Sequence, residues 1–216
     1  MKLTIVYDNK VFDKKNNLKS SHGFSCYIES NNNNILFDTG DKSNILLENM
    51  KNLNIDPEKI DKIVISHEHW DHNGGLKELI CQNKNVEVYR LKKNIFPKKT
   101  KHITVEKPIK ITEYIYSTGR LKGYPIDEQS LVIKGKKGGY VLAGCSHSGV
   151  KEILTAAEKH GKIIGLIGGL HGFSDFSILK DMTLICATHC TKQKDKIHEL
   201  YPDTCIKGGV GRVIKI

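Results

Sequence analysis

The segment His67-Glu68-His69-Trp70-Asp71-His72 packs three imidazoles and a carboxylate into six residues, directly after the apolar run Ile63-Val64-Ile65. A chain that buries such a run and then presents this cluster has to carry the cluster at the end of a strand. In an extended segment, residues two apart face the same side, so His67 and His69 can grip one cation. Asp71 and His72 are neighbours whose side chains diverge, so they can reach a second cation beside the first. Imidazole nitrogen and carboxylate oxygen suit zinc, iron or manganese. Asn73-Gly74-Gly75 then lets the chain turn sharply into a helix. A chance polar loop is a poor account of three histidines at a strand end. A zincin is excluded, because HExxH needs histidine where Asp71 stands.

The remaining pattern alternates between strands and helices. Strands are expected at the start of the chain, Met1 to Val6, and at Phe24 to Ile28, Ile35 to Phe37, Lys62 to Ile65 and Val86 to Tyr89. The Asn31 to Asn34 run between two of them reads as a hairpin turn, since asparagine tolerates left-handed backbone. Helices are expected over Ser43 to Leu53 and Leu76 to Ile80. Residues 91–128 hold Pro97, Pro108 and Pro125 and a β-like patch from Ile109 to Tyr116. Further strands are expected at Leu131 to Ile133, Tyr140 to Ala143, Ile163 to Ile167, Met182 to Cys186 and Arg212 to Ile216. Helices are expected at Val150 to Lys159 and Lys194 to Leu200. This mixture suits an α/β chain of packed sheets covered by helices, a single domain over residues 1–216.

Charge and cysteine content narrow the function. Thirty-four lysines and arginines against 24 acids leave a net charge of +10. Only Arg90, Arg120 and Arg212 are arginines, and aromatics make up 7% of the chain. A nucleic-acid reader favours arginine forks and stacking aromatics, so nucleic acid is disfavoured as a partner. Runs such as Lys92-Lys93, Lys98-Lys99 and Lys136-Lys137 are scattered, and the charge reads as solubility plus attraction of a small anionic substrate. No apolar run approaches the ~20 residues of a membrane span. The chain starts without the apolar block of a secretory signal, so a cytoplasmic location is expected, with Cys26, Cys81, Cys145, Cys186, Cys190 and Cys205 as thiols.

Several other residues can carry chemistry. Asp38 lies in Phe37-Asp38-Thr39-Gly40; an aspartic protease would need two such carboxylates, and there is one. His147 (in Gly144-Cys145-Ser146-His147-Ser148-Gly149), His171 (after Gly168-Gly169-Leu170) and His189 (in Thr188-His189-Cys190) each follow an expected strand, the usual edge for ligands in sheet-based sites. His22 is a candidate for substrate contact. His102, His160 and His198 read as surface residues. Gly144 to Ser148 comes one residue short of the GxSxG nucleophile elbow, whose last glycine is missing. Cys186 and Cys190, four apart, could bind a metal, but buried thiols are the expected reading.

With HxHxDH at a strand end and the early aspartate motif in order, the sequence resembles the metallo-β-lactamase superfamily. The Gly-Cys-Ser-His-Ser-Gly, Gly-Gly-Leu-His and Thr-His-Cys segments, with the terminal Gly-Val-Gly-Arg-Val-Ile, resemble the branch of dihydropterin-aminobenzene phosphate synthases and their bacterial relatives. The resemblance covers nearly the whole chain. It implies an αββα sandwich of two similar halves, with two mixed sheets flanked by helices. It also implies one or two divalent metal ions, zinc first and iron or manganese next. His67, His69, Asp71 and His72 would be ligands, with Asp38 supporting them and Asp71 also holding the attacking water. His147 and His189 are expected to complete the ligand set, with Cys145 and His171 close by. Two positions depart from the general pattern. No histidine stands in the usual place before Asp127, and Cys145 stands where many members have a metal-bridging aspartate. The implied activity is a metallo-hydrolase for a small anionic ester or phosphoester. The alternatives are a dihydropterin-transferring synthase and a non-hydrolytic iron-binding redox or sensor protein.

Overall fold

Each half of the chain builds a mixed sheet of its own. A computed structural model describes residues 1–14, 16–30, 32–92 and 100–216. These form one unit from Met1–Val105 with Gly209–Ile216 and another from Glu106–Gly208. Asn31, Lys93, Pro97, Lys98 and Lys99 lie outside the described residues.

The first unit contains β1 (Lys2–Tyr7), β2 (Ser25–Ser30), β3 (Asn33–Phe37), β4 (Lys62–Val64), β5 (Glu87–Arg90), β6 (Lys101–Thr104) and the last strand, β13 (Val213–Lys215). Their order is β13-β1-β2-β3-β4-β5-β6. β1 pairs antiparallel with β13 and β2, and β2 with β3; β3 to β6 then run parallel. The parallel pairs need crossovers. These carry α1 (Ser43–Asn52), the one-turn α2 (Trp70–Asn73) and α3 (Leu76–Gln82).

Helix α1 buries Leu46, Asn49 and Met50, a stripe at spacings of three and four. Asn49 is satisfied there: its Nδ2 donates to the carbonyls of Val6 at 2.9 Å and Lys19 at 2.8 Å. Leu46 and Met50 pack with Leu76 and Leu79 against Val6, Leu36, Ile63 and Val88. Truncating Leu46 to alanine in so filled a core costs about 2–5 kcal/mol.

The second unit contains β7 (Ile109–Lys110), β8 (Ile115–Ser117), β9 (Leu131–Lys134), β10 (Gly139–Ala143), β11 (Ile163–Gly169) and β12 (Leu184–Thr188), in the order β12-β11-β10-β9-β8-β7. β7 to β10 pair antiparallel, and β10, β11 and β12 are parallel. The crossovers carry α4 (Val150–Glu158) and a short 3-10 turn; α5 (Lys194–Leu200) follows β12. Val150, Ile153, Leu154 and Ala157 of α4 form one face, packed with Val141, Leu166 and Ile185.

Most expected elements are present, and several differ; Asn33 and Asn34, expected in a hairpin turn, already belong to β3 and pair with Ser30 and Glu29. The extended reading of His67 to His72 holds only to His69. There the chain turns into α2, with the His72 and Asn73 amides donating to the His69 carbonyl at 3.1 and 3.2 Å. The Ile109 to Tyr116 patch is two short strands, β7 and β8. Strand β12 begins two residues after the expected Met182. Met182 is buried, but from the preceding turn, and the ladder starts at Leu184 opposite Gly165. Strand β6 has one aliphatic residue, Ile103, in Lys-His-Ile-Thr, and gave no apolar run to read. Among the described residues, no helix is long and apolar enough to cross a membrane.

Parallel pairing has a direct consequence for chemistry. The carboxyl ends of β3 and β4 share one edge of the first sheet, and those of β10, β11 and β12 share one edge of the second. Asp38 and His67 to His72 follow the former; Cys145, His147, His171 and His189 follow the latter.

Candidate metal centre

In the first unit, Asp38 leaves β3 with a positive φ of 59°, a conformation aspartate tolerates better than most residues. The turn aims its carboxylate at the loop after β4. Oδ1 accepts from the Ser66 amide at 2.7 Å, and Oδ2 accepts from the Ser66 hydroxyl at 2.7 Å. Asp38 Oδ2 also meets His72 Nδ1 at 2.7 Å, and all three residues are fully buried. The carboxylate can only accept, so His72 Nδ1 carries the proton and its Nε2 keeps a lone pair. The Ser66 hydroxyl has spent its single proton on Asp38. At 2.8 Å from His67 Nδ1 it therefore accepts, which makes Nε2 the acceptor nitrogen of a neutral His67 as well. One carboxylate thus fixes the tautomers of two imidazoles, the arrangement that orients metal-ligating histidines.

The imidazole rings converge. His67 Nε2 lies 3.1 Å from His69 Nδ1, and the ring centroids of His67 and His72 are 4.1 Å apart. Asp71 Oδ2 lies 3.6 Å from His72 Nε2 and 3.2 Å from His22 Nε2. His22 is half exposed and sits against the ring of Trp70. These side chains are held from outside as well. The Thr39 amide and hydroxyl both donate to the His72 carbonyl, at 2.7 and 3.1 Å. At Gly74 a Cβ would stand 2.1 Å from the Asp41 carbonyl oxygen, so only glycine lets the loop close here. Glu68, inside the motif, pairs with Arg90 of β5 and also accepts from Asn73 Nδ2 at 3.1 Å.

In the second unit, three separate loops contribute. A ligating atom from each of Cys145, His147 and His171 lies within 4.8 Å of the other two, and the same holds for Cys145, His189 and Cys190. His147 and His189 are each grouped with Cys145, in separate sets, and Cys145 belongs to both. Ser146, His171 and His189 have positive φ values of 64°, 44° and 49°. The two histidines follow their strands within two residues, where strain in a non-glycine residue marks a position held for its side chain. The surrounding contacts hold these turns. Ser146 Oγ donates to the Gly169 carbonyl at 2.8 Å, and Lys194 Nζ donates to the His189 carbonyl at 2.7 Å. The His171 ring lies 4.5 Å from that of His147, and its buried Nε2 has no hydrogen-bond partner. A nitrogen so placed and a set of imidazole and thiol donors fit a divalent metal ion.

Sequence reasoning missed several neighbours. Cys190, read as a buried thiol, is half-buried and shares a set with His189, whereas Cys186 is buried as expected. Fully buried Glu128 accepts from the Ser148 amide at 2.9 Å and hydroxyl at 2.7 Å, steadying the turn that carries His147. A cavity of about 470 Å³ beside His147 and His171 is also lined by Tyr124, Pro125 and Phe173. No spacing in the sequence announced these. His102, His160 and His198 are half-buried rather than surface residues. Burial, then Arg90, lowers the His102 pKa, and burial, then Lys134 and Lys159, lowers that of His160, which stacks on Tyr116.

A family model of the metallo-beta-lactamase superfamily matches residues 21–160. The chain belongs to this superfamily. An uncharacterized protein of Methanocaldococcus jannaschii, MJ0448, is 30% identical over 99% of this chain and 100% of its own length. The 7,8-dihydropterin-6-methyl-4-(β-D-ribofuranosyl)-aminobenzene-5′-phosphate synthase of the same organism is 28% identical over 91% of this chain and 90% of its own. Those alignments run to 261 and 266 positions, more than the 216 residues here, so both relatives carry residues that this superfamily member lacks. The crystal structure of Tm1679, described as a metal-dependent hydrolase of the β-lactamase superfamily, shares the fold. Its TM-score is 0.77 at 23% identity, over 100% of this chain and 99% of that one.

Proposed function

We propose that this chain is a metal-dependent hydrolase acting on a small anionic ester or phosphoester. The observation that carries the reading is the buried Asp38–Ser66 pair, whose hydrogen bonds reach Nδ1 of both His67 and His72 and so orient the two imidazoles. In this reading His67, His69, Asp71 and His72 of the first unit and His147 and His189 of the second are metal ligands. Zinc is the first choice of metal, with iron or manganese next, at one or two ions per chain. Such an ion, when bound, lowers the pKa of water towards neutrality and polarises an ester or phosphoryl oxygen. Asp71 orients the attacking water and takes its proton at Oδ2. His22, 3.2 Å away and half exposed, passes that proton to solvent. Asp38 holds the imidazoles still throughout. The net charge of +10 raises the local concentration of anions.

The test is metal quantitation followed by a turnover screen on phosphodiesters, lactones and thioesters. The reading expects one or two ions per chain and one ester class hydrolysed, with activity lost to a chelator and restored by metal. A metal-loaded protein that hydrolyses none of these classes would overturn it. A second reading is supported by the 28% identity to the dihydropterin-aminobenzene phosphate synthase. It expects the chain to join a dihydropterin to a ribofuranosyl-aminobenzene phosphate, with product visible by mass spectrometry and no ester hydrolysis.

A further inference from the structure

We propose that Cys145, His189 and Cys190 form a thiolate-rich metal site at the carboxyl edge of the second sheet, taking a soft divalent ion such as zinc or ferrous iron. This deepens the functional reading above and rests on it for His189. The two sulfurs and one imidazole nitrogen all lie within 4.8 Å of one another. Tetrahedral zinc with Zn–S bonds of ~2.3 Å and Zn–N bonds of ~2.0 Å holds its ligand atoms about 3.5–3.8 Å apart, so closure takes side-chain movements of ~1 Å or less.

Three further features show a place built for the sulfurs. A Cβ on Gly169 would stand 2.6 Å from Cys190 Sγ, so the glycine at the end of β11 leaves the space that the thiol occupies. Cys190 Sγ lies 3.8 Å from the Cys145 carbonyl, which sets the two cysteines side by side. His189 takes its left-handed turn immediately before Cys190, and Thr191 Oγ1 fastens the following turn to the Thr188 carbonyl at 2.8 Å. The turn therefore directs His189 and Cys190 together. Cys145 and His189 are nearly fully buried and Cys190 is half-buried, which leaves an approach for the ion. Each thiol gives up its proton to solvent as its sulfur binds.

Cobalt(II) substitution of the intact chain tests this without a variant. Cobalt bound by thiolate gives a near-ultraviolet sulfur-to-metal charge-transfer band, which cobalt on nitrogen and oxygen alone lacks. The proposal expects that band in the wild-type chain. It also expects two of the six cysteines to be protected from a thiol reagent by zinc and released by a chelator. Cys190→Ser should halve the band and weaken zinc binding by at least the 10- to 100-fold that loss of an outer support costs. Bound cobalt with no charge-transfer band, and no thiol protected by zinc, would overturn the thiolate site while leaving the histidine-ligated reading standing. A chain that binds no metal would overturn both.

Discussion

The two strand-end clusters are built in opposite ways. In the first unit, four candidate ligands come from one six-residue stretch, braced by a buried carboxylate from the neighbouring strand. In the second, the candidates come from three loops spread over 46 residues, from Cys145 to Cys190, brought to one edge because β10, β11 and β12 run parallel. The first cluster is specified by local spacing and hydrogen bonds, the second by topology and left-handed turns. Local specification gives a signature that survives in the sequence. Topological specification shows only once the strands are ordered.

The largest expected effect falls on Asp71, the residue given both a ligating and a proton-accepting role. Asp71→Asn should lower kcat by about 10²–10⁴, the range for a lost general base, while the chain stays folded. A kcat within tenfold of wild type would remove the proton role. Next comes the brace. Asp38→Asn keeps the shape but frees the tautomers of His67 and His72, so metal affinity should fall about 10- to 100-fold in a competition titration. Unchanged affinity would mean that local spacing alone sets the first cluster. In the second unit the strained turn makes the contrast. His189→Gly relieves the positive φ and should cost less stability than Asp38→Ala, which strands buried Ser66 and His72 at about 1–3 kcal/mol. Thermal melts of the two variants rank them directly.

Two smaller effects concern charge. If the net +10 draws the substrate, kcat/KM for an anionic ester should fall several-fold between 0.1 and 1 M salt, as the Debye length shrinks from ~10 to ~3 Å. A salt-independent rate would remove the field from the account. Away from both clusters, Glu87 is held down to about 2 by the hydrogen bond from Lys101 and then by that from Lys62. Its folded pKa lies below the usual 4.5, so its contribution is fully present above that value. It fades as pH falls towards 2. Glu87→Gln should cost on the order of 1 kcal/mol at neutral pH, since the solvent-exposed Lys101 is screened, and little near pH 2.

The same contrast explains how much the sequence revealed. Helix α5 starts and ends as expected although it buries only Ile197, and α4 and β9 end within one residue of expectation, because α4 shows one apolar face and β9 an apolar run. His67, His69, Asp71 and His72 stood out by their spacing, and Asp38 only through the family resemblance. The turn into α2 was not, because it depends on Gly74 lying against the Asp41 carbonyl, a contact between distant segments. The half-buried place of Cys190 was not legible for the same kind of reason. Its neighbours Cys145 and Gly169 are far away in sequence, and a lone cysteine more often fills a core. Glu128 carries no local signal at all; its role appears only through Ser148.

The central claim is that the strand-end histidines bind metal, and metal content per chain tests it most directly. Wild type and His69→Ala should be purified alike, loaded with zinc, freed of loose ions and assayed by elemental analysis. The account predicts one or two tightly held ions in the wild type and a sharp loss in the variant, because removing one ligand leaves an open, weak site. Equal metal content in the two proteins would contradict it.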